Sequence, residues 1–367
     1  MSVAFINLVF INSLFQGVIE TDHRQLISTT TGNIMLSPRE EGALFGGVED
    51  AVAKISRVEG ITGVSDQIVL PAVIEREESR KNIEVWAVNP SREKRVTVIH
   101  EKVISGYYFR RDNEPGILIG KRIAYDEKPG GRSLIVKESK SVALQIAGES
   151  IELPVLGVFE TLSDYADSRA YLPRSVIEDM FPEYRDKATR IIIKAAKRGG
   201  EEELVKKLKN TGLPGKFVTW QEASERSESL TESFVTINAL LTSVGFMIAA
   251  VTIFIIMYVD ITHKRLEIGI LRALGIKSHI IATTFVLQTI VYSLFGVMVG
   301  AGLFFGIIMP YFRWKPFIIP IGDVKLAVVP ADFISRAVAV VLVAIASGLI
   351  PAIISLRKRI LDEILGR

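Results

Sequence analysis

The sequence predicts a membrane protein, α-helical in its spanning part, with four transmembrane helices and a large α+β extracytoplasmic domain between the first and the second. Three observations predict it. Residues 1–20, 233–259, 279–309 and 333–356 are apolar runs, and a run of about 18 or more apolar residues is long enough to cross a bilayer as a helix. Residues 21–232 have the mixed, charged composition of a soluble domain. Basic residues gather in the connection 260–278 and the tail 357–367.

The first run, Ser2–Ile19, is barely long enough to cross, and it carries Asn7, Asn12 and Gln16. It has neither the positive start nor the small-residue cleavage site of a secretory signal, so it reads as a first span with a short or truncated start. The domain that follows, at roughly 210 residues, is large enough for one core or two small ones. Runs rich in Val and Ile and bounded by turn residues predict strands at GNIMLSP, QIVLPAVIE, IEVWAVNP, RSLIVKE, ELPVLGVFE, RAYLP, TRIIIKAA and KFVTW. Helical spacing predicts helices at Val48–Gly60, SVIEDMF and EEELVKKLKN. In the last, Glu202/Lys206 and Glu203/Lys207 stand four apart with Glu first, the favourable order on a solvated face. Strands and helices do not alternate regularly, which excludes a doubly wound sheet.

The spans near Phe234–Val259, Ile280–Met309 and Phe333–Leu356 can all cross with some tilt. Lys264, Arg265, Arg272 and Lys277 in one connection, and Arg357, Lys358, Arg359 and Arg367 in the tail, outnumber the basic residues of the short loop 310–332. The positive-inside bias therefore places 260–278 and both termini in the cytoplasm of a cell-membrane protein and residues 21–232 outside. Gly296 with Gly300, and Gly302 with Gly306, have the small-xxx-small spacing of close helix packing, within the chain or between two chains.

Little in the chain reads as chemistry. The absence of Cys excludes disulfides and thiolate metal sites. The four His, at 23, 100, 263 and 279, have no metal-ligand spacing. GILIGKR, Gly116–Arg122, resembles a phosphate loop but has three residues between its glycines, and Arg follows the Lys where Ser or Thr should hold Mg²⁺. No nucleophile elbow occurs. The expectation is a chain without catalysis or cofactor of its own. Tyr107, Tyr108, Phe109, Tyr165 and Tyr171 read as core residues before they read as a ligand surface. The small net charge, +3, gives no reason to expect nucleic acid.

The exception is RLEIGILRALGI, Arg265–Ile276, a charged, helix-prone piece between two apolar spans. Gly275 sits where a helix would stop, and Ser278 is placed to cap the next one. Over a helix from His263 to Leu274, Leu266, Ile270, Ala273 and Leu274 share one face, while Lys264, Glu267 and Arg272 project elsewhere. Gly269, mid-helix, costs about 1 kcal/mol relative to Ala and suggests a close backbone approach. The pattern suits an interfacial helix on the membrane or a docking helix for a cytosolic partner.

This segment, R-x-E-I-G-I-L-R-A-L-G, resembles the coupling segment of the FtsX-like permease family, membrane subunits of ABC transporters of the MacB/LolC/LolE type. GLIPAIISLRKRILDEI (residues 348–364) resembles the family's ending. GNIMLSP, GILIGKRIA, LPVLGVFE and FVTWQE resemble landmarks of its extracytoplasmic domain. The resemblance implies two paired permease chains, each docking a separate cytoplasmic ATPase that would hold ATP and Mg. The docking residues it implies are Arg265, Leu266, Glu267, Gly269, Ile270, Arg272, Ala273, Leu274 and Gly275. ATP-driven motion would pass through the spans to the outside domain, for export or extraction of a lipid, lipoprotein, peptide or drug. A transmembrane signal transducer using the same ATPase is the alternative. The resemblance also implies that Gly269→Trp abolishes docking.

Overall fold

A computed structural model describes residues 1–40, 42–76, 79–125, 141–225, 229–319 and 322–356. The chain forms two compact units: residues 1–20, 229–318 and 323 onward make one, and 21–228 with 319–322 the other. The chain starts with helix α1 (Ser2–Leu26), which passes into a π-helical turn at Ile27–Thr31. The helix thus runs seven residues beyond the predicted apolar run.

The strands of the soluble unit are β1 (Ile34–Ser37), β2 (Phe45–Gly46), β3 (Ile61–Arg76), β4 (Ser79–Val88), β5 (Val103–Gly106), β6 (Ile117–Gly120), β7 (Ser141–Ile146), β8 (Glu149–Phe159), β9 (Arg169–Pro173), β10 (Lys187–Ala188), β11 (Arg190–Ala195) and β12 (Lys216–Thr219). Its helices are α2 (Val48–Ser56), α3 (Pro90–Val96), α4 (Lys121–Ala124), α5 (Asp164–Asp167), α6 (Arg174–Met180), α7 (Glu201–Lys209) and α8 (Trp220–Glu225). Ten strands join in one mixed sheet of order β12-β1-β11-β3-β4-β9-β6-β8-β5, with β7 pairing β3 and β8. The organising piece is β3: its second half pairs β4 from Gln67 to Arg76, while its first half pairs β11 from Ile61 to Gln67. The predicted strand RSLIVKE falls at 132–138, outside the described residues, and Trp220 of KFVTW opens α8 rather than ending β12.

Strand alternation sends side chains to opposite faces of this sheet. One face carries Ile34, Leu36, Ile191, Ile193 and Phe217 against α2 and α7. Further along it carries Ile68, Val85, Ala87, Ala170 and Leu172 against Val176 and Ile177 of α6. α7 is placed by charge as well as burial: three Glu open it, three Lys close it, and Glu203–Lys207 forms at 3.2 Å. The opposite face holds Trp86, Val88, Leu118, Phe159 and Tyr171, covered by Ile99 and Phe109. So Phe109 and Tyr171 are core residues, whereas Tyr107 and Tyr165 are exposed.

That second face is partly polar. The guanidinium carbons of Arg169 and Arg190 lie 3.7 and 4.0 Å from the Trp86 ring centroid. Burial, then the charge of Arg169, pushes Arg190 down to about 10. Asn89 caps α3 through the Arg92 N–H at 3.0 Å, with Pro90 in the first turn, and this aims Glu93 inward. Glu93 is fully buried and accepts from Ser65 Oγ at 2.6 Å and Gln67 Nε2 at 3.0 Å. Burial pushes its carboxyl up, and these hydrogen bonds oppose the shift without cancelling it. An acid whose folded pKa lies above its unfolded value binds protons more readily when folded, so stability falls as pH rises from the unfolded pKa through the folded one. We therefore expect Glu93→Gln to flatten the pH dependence of thermal unfolding of the full chain above about pH 4.3, the ordinary Glu value. A wild-type slope that persists unchanged in the variant would assign the pH dependence elsewhere.

The membrane unit contains α1, α9 (Ser229–His263), α10 (Arg265–Ala273), α11 (Ser278–Leu303), α12 (Met309–Trp314) and α13 (Pro330–Leu356), with a π-helical stretch at Phe304–Ile308 joining α11 to α12. Four stretches, Ser2–Thr31, Val235–His263, Ser278–Trp314 and Pro330–Pro351, are long and apolar enough to cross a membrane. Large apolar side chains such as Leu240, Met247, Phe295 and Met298 point outward, the arrangement a lipid solvent permits. Inside, small residues bring helices together. A Cβ on Gly348 of α13 would come within 2.6 Å of Thr289 Oγ1 of α11, and one on Gly300 within 2.9 Å of the Phe5 ring of α1. Gly296 packs likewise on Met1, whereas Gly302 and Gly306 have nothing within 4 Å. One glycine pair thus packs within the chain and the other faces open space.

Candidate functional site

α10 is shorter than the predicted helix, because His263 belongs to the end of α9 and Lys264 (φ −91°, ψ 10°) breaks the two apart. The break is tight: the Lys264 N–H still donates to Asp260 O at 3.1 Å, and Ile268 N–H to Lys264 O at 2.9 Å. Gly275 ends α10 as its sequence foretold. It takes φ +91°, its N–H donates to Arg272 O at 3.0 Å, and Ile276 N–H donates to Leu271 O at 3.1 Å. These are the two hydrogen bonds of a Schellman motif, and the left-handed residue at its turn favours glycine. Ser278, by contrast, is the first residue of α11 and no cap; Lys277 takes the cap position and makes no side-chain capping bond.

The faces of α10 divide cleanly. Ile268 and Gly269 are buried, and Ile268 joins a core with Ile253, Met257 and Ile261 of α9, Ile281 and Phe285 of α11, and Ala344 of α13. The helix is therefore anchored to its own spans by one side. Leu266, Ile270 and Leu274 are 57%, 50% and 75% exposed, an apolar edge at i, i+4, i+8. Glu267, Ala273 and Gly275 are exposed beside it, and Arg265 and Arg272 are half-buried. The structure thus brings together eight of the nine named residues on the outer side or rim. Gly269 is the exception, since it packs against its own chain. Gly269→Trp would disturb that packing directly, so it cannot separate lost docking from lost anchoring.

The base of α10 is braced. Asp260 accepts from Gln288 Nε2 of α11 at 2.7 Å and pairs with Lys264 at 3.5 Å, so the turn at Lys264 is tied to both neighbouring spans. Elsewhere, GILIGKR is strand β6 followed by the four-residue α4. A Cβ on Gly120 would meet Asp167 O at 2.1 Å, and Lys121 Nζ pairs with Glu160 at 2.5 Å. The glycine permits close packing, and the lysine is engaged within the domain. Among the described residues no cluster of three or more His, Cys, Asp or Glu could hold a metal ion. One polar group escaped the sequence reading: Arg336, inside the fourth span, bonded to Asn12 and Thr242.

A short charged helix braced between two of four apolar spans defines a class of multi-pass membrane protein, and comparison with known proteins shows what it is similar to. Residues 239–360 match the FtsX-like permease C-terminal family. The chain is 26% identical over 261 residues, 65% of its length and 58% of the relative's, to the uncharacterized ABC transporter permease YvrN of Bacillus subtilis (strain 168). It is 24% identical over 214 residues, 56% of its length and 53% of the relative's, to the uncharacterized ABC transporter permease YknZ of the same organism. It spans little more than half the length of these curated relatives. Among solved structures it is similar to the extracellular domain of the noncanonic ABC-type transporter YknZ from Gram-positive bacteria, at TM-score 0.38 and 17% identity, covering 51% of this chain and 97% of that one. It is also similar to the periplasmic region of MacB from Actinobacillus actinomycetemcomitans, at TM-score 0.37 and 12% identity, covering 54% and 94%.

Proposed function

We propose that the chain is the permease subunit of an ABC transporter, coupling ATP hydrolysis by a separate cytoplasmic ATPase to movement of its domain between α1 and α9. The single observation that carries this reading is the apolar edge Leu266–Ile270–Leu274, held outward on a helix whose other side is fixed in its own bundle. Such an edge suits a helix-in-groove contact, with Arg265, Glu267 and Arg272 setting orientation at the rim. Because Ile268 ties α10 to three spans, a push on α10 reaches α9, α11 and α13 together. That is the mechanical property a coupling element needs. The FtsX-like match over the same segment and the relatives named as ABC transporter permeases support the reading. Two such chains, alike or different, would pair to engage two ATPases, with α10 and both termini in the cytoplasm. The cargo would be a lipid, lipoprotein, peptide or drug handled on the outer side of the membrane. The test is to co-express the chain with an ABC ATPase encoded beside its gene and purify the chain. Stoichiometric ATPase, with turnover that depends on the permease, is the expected result, and a chain that purifies free of every such ATPase would overturn it.

A further inference from the structure

We propose that a groove at one end of the soluble unit's sheet is a binding site for the carboxyl end of a peptide, an apolar side chain beside a free carboxylate. The pairing of Ser37 with Lys216 sets the connection from β1 to β2 beside the connection from α7 to β12. Between them lies a cavity of about 660 Å³, inside the range of about 300–1,000 Å³ in which small ligands bind. Its walls are fixed by backbone geometry. Gly215 takes φ +139°, and a Cβ there would come within 2.8 Å of Ser37 O, so the second connection closes directly on β1. Gly212 takes φ +70° and its N–H donates to Lys209 O at 3.3 Å, which turns the chain at the end of α7. The other ends of β1 and β12 are where α1 enters the sheet and α8 begins, and there Trp220 N–H donates to Asn33 O at 3.0 Å. The groove thus opens at the end of the sheet away from both helices.

The lining defines what fits. Leu44 and Leu213 are half-buried in it, and Leu213 packs on the core that α2 and α7 cover. They give a floor for one apolar side chain. Arg39 and Glu40 stand on one wall and Lys209 on the other, all three exposed. Among the described residues none of these three charges is in an ion pair. Two cations above an apolar floor suit a carboxylate, and the Arg39 fork matches its paired oxygens. Glu40 separates a peptide from other apolar carboxylates. An ionised carboxylate only accepts hydrogen bonds, so it needs donors from whatever binds beside it. The amide N–H groups of a peptide supply them, whereas a fatty acid brings none and meets Glu40 as a like charge. A peptide end therefore uses floor, cations and carboxylate together. The site belongs to the soluble unit alone and stands whether or not an ATPase docks at α10.

The experiment titrates the full chain in nanodiscs with a tetrapeptide of three alanines and a C-terminal leucine, labelled with fluorescein at its amino end and read by anisotropy. The free acid is expected to bind about tenfold more tightly than the same peptide as its C-terminal amide, a difference of about 1.4 kcal/mol. Arg39→Gln together with Lys209→Gln should bring acid and amide level. Gly46 also lines the groove, takes no left-handed φ, and a Cβ on it would meet nothing within 4 Å. Gly46→Trp thus adds bulk there without strain and should abolish binding of both forms. Gel filtration and thermal unfolding report whether each variant folds; if Gly46→Trp does not, the paired Gln variant carries the test. A wild type that binds neither form, equal binding of acid and amide, or full binding by a folded Gly46→Trp overturns the site. Decanoate that displaces the labelled peptide as well as the unlabelled peptide does would make it a site for any apolar carboxylate and overturn the peptide.

Discussion

Replacing Leu266, Ile270 and Leu274 together by Asp is expected to strip a partner ATPase from the purified chain while the four spans still insert. The three side chains are half or more exposed in the free chain, so their outer surfaces are what a groove would bury. Burying a Leu or Ile completely stabilises by about 1.5–3 kcal/mol, so the exposed halves are worth roughly 1 kcal/mol each. Three of them make about 3 kcal/mol, or roughly 100-fold in affinity, before the cost of pressing three carboxylates into an apolar groove is added. Each single Asp variant should lose less, and Glu267→Gln, at the rim, less still. None of the three belongs to the buried core around Ile268, so that core keeps its own side chains. The readout is ATPase co-purification beside a membrane-insertion assay. If the triple variant keeps its ATPase, the apolar edge lies on the membrane surface and α10 is an interfacial helix. If insertion fails as well, the edge serves bundle assembly. Only loss of the ATPase with insertion intact supports docking.

Apolar length made the four spans legible, since about 18 residues of hydrocarbon-soluble chain have few other uses. It could not show where α1 ends, because Glu20–Gln25 are polar yet helical, and helices leave a membrane without stopping. In the docking segment, the stop at Gly275 was legible because a left-handed residue in a Schellman turn favours one side chain above others. Gly269 shows what such a pattern leaves open. A mid-helix glycine announces a close neighbour without saying on which side, and here the neighbour is the chain itself. Arg336 was overlooked because Asp332 stands one turn before it, which makes the pair look like charges at a helix edge. In the folded chain its fork turns toward Asn12 and Thr242. In the soluble unit, Ile- and Val-rich runs found β1, β3, β4, β8, β9, β11 and β12. They did not find β5, β6, β7 or the two-residue β2 and β10, whose pairing depends on partners distant in sequence. Nor could they show that Asp66, one position before the apolar run of QIVLP, points into the same side of the sheet as Ile68.

That aspartate carries the second large effect. Asp66 is 1% exposed and accepts from Arg92 Nη1 at 2.8 Å and Arg174 Nη1 at 2.5 Å. Arg92 also pairs with Glu49 of α2 at 2.5 Å. Arg174 pairs with Glu178 of its own helix at 2.5 Å and donates to the carbonyls of Tyr184 and Lys187. One carboxylate thus joins α3, α6 and β3, with α2 attached through Arg92. Removing it leaves two enclosed guanidiniums short of an acceptor, and breaking a buried ion pair from one side costs about 3–5 kcal/mol. For a domain of about 200 residues, where each kcal/mol is worth roughly 2–4 °C, Asp66→Ala should lower the unfolding temperature by roughly 10 °C. Hydrogen exchange on the full chain should locate the loosening at α3 and α6. Asp66→Leu should be no better than Ala, because filling the volume leaves the cations unpaired. Replacing all three members, with Leu at 66 and Met at 92 and 174, should recover much of the loss, since well-packed apolar groups often match a buried ion cluster in stability. Recovery would show that the damage in Asp66→Ala comes from stranded charge. If the triple variant melts lower still, the ion chain contributes geometry that no apolar packing supplies, and its bonds to Glu49 and to the carbonyls after α6 are what hold those helices in place.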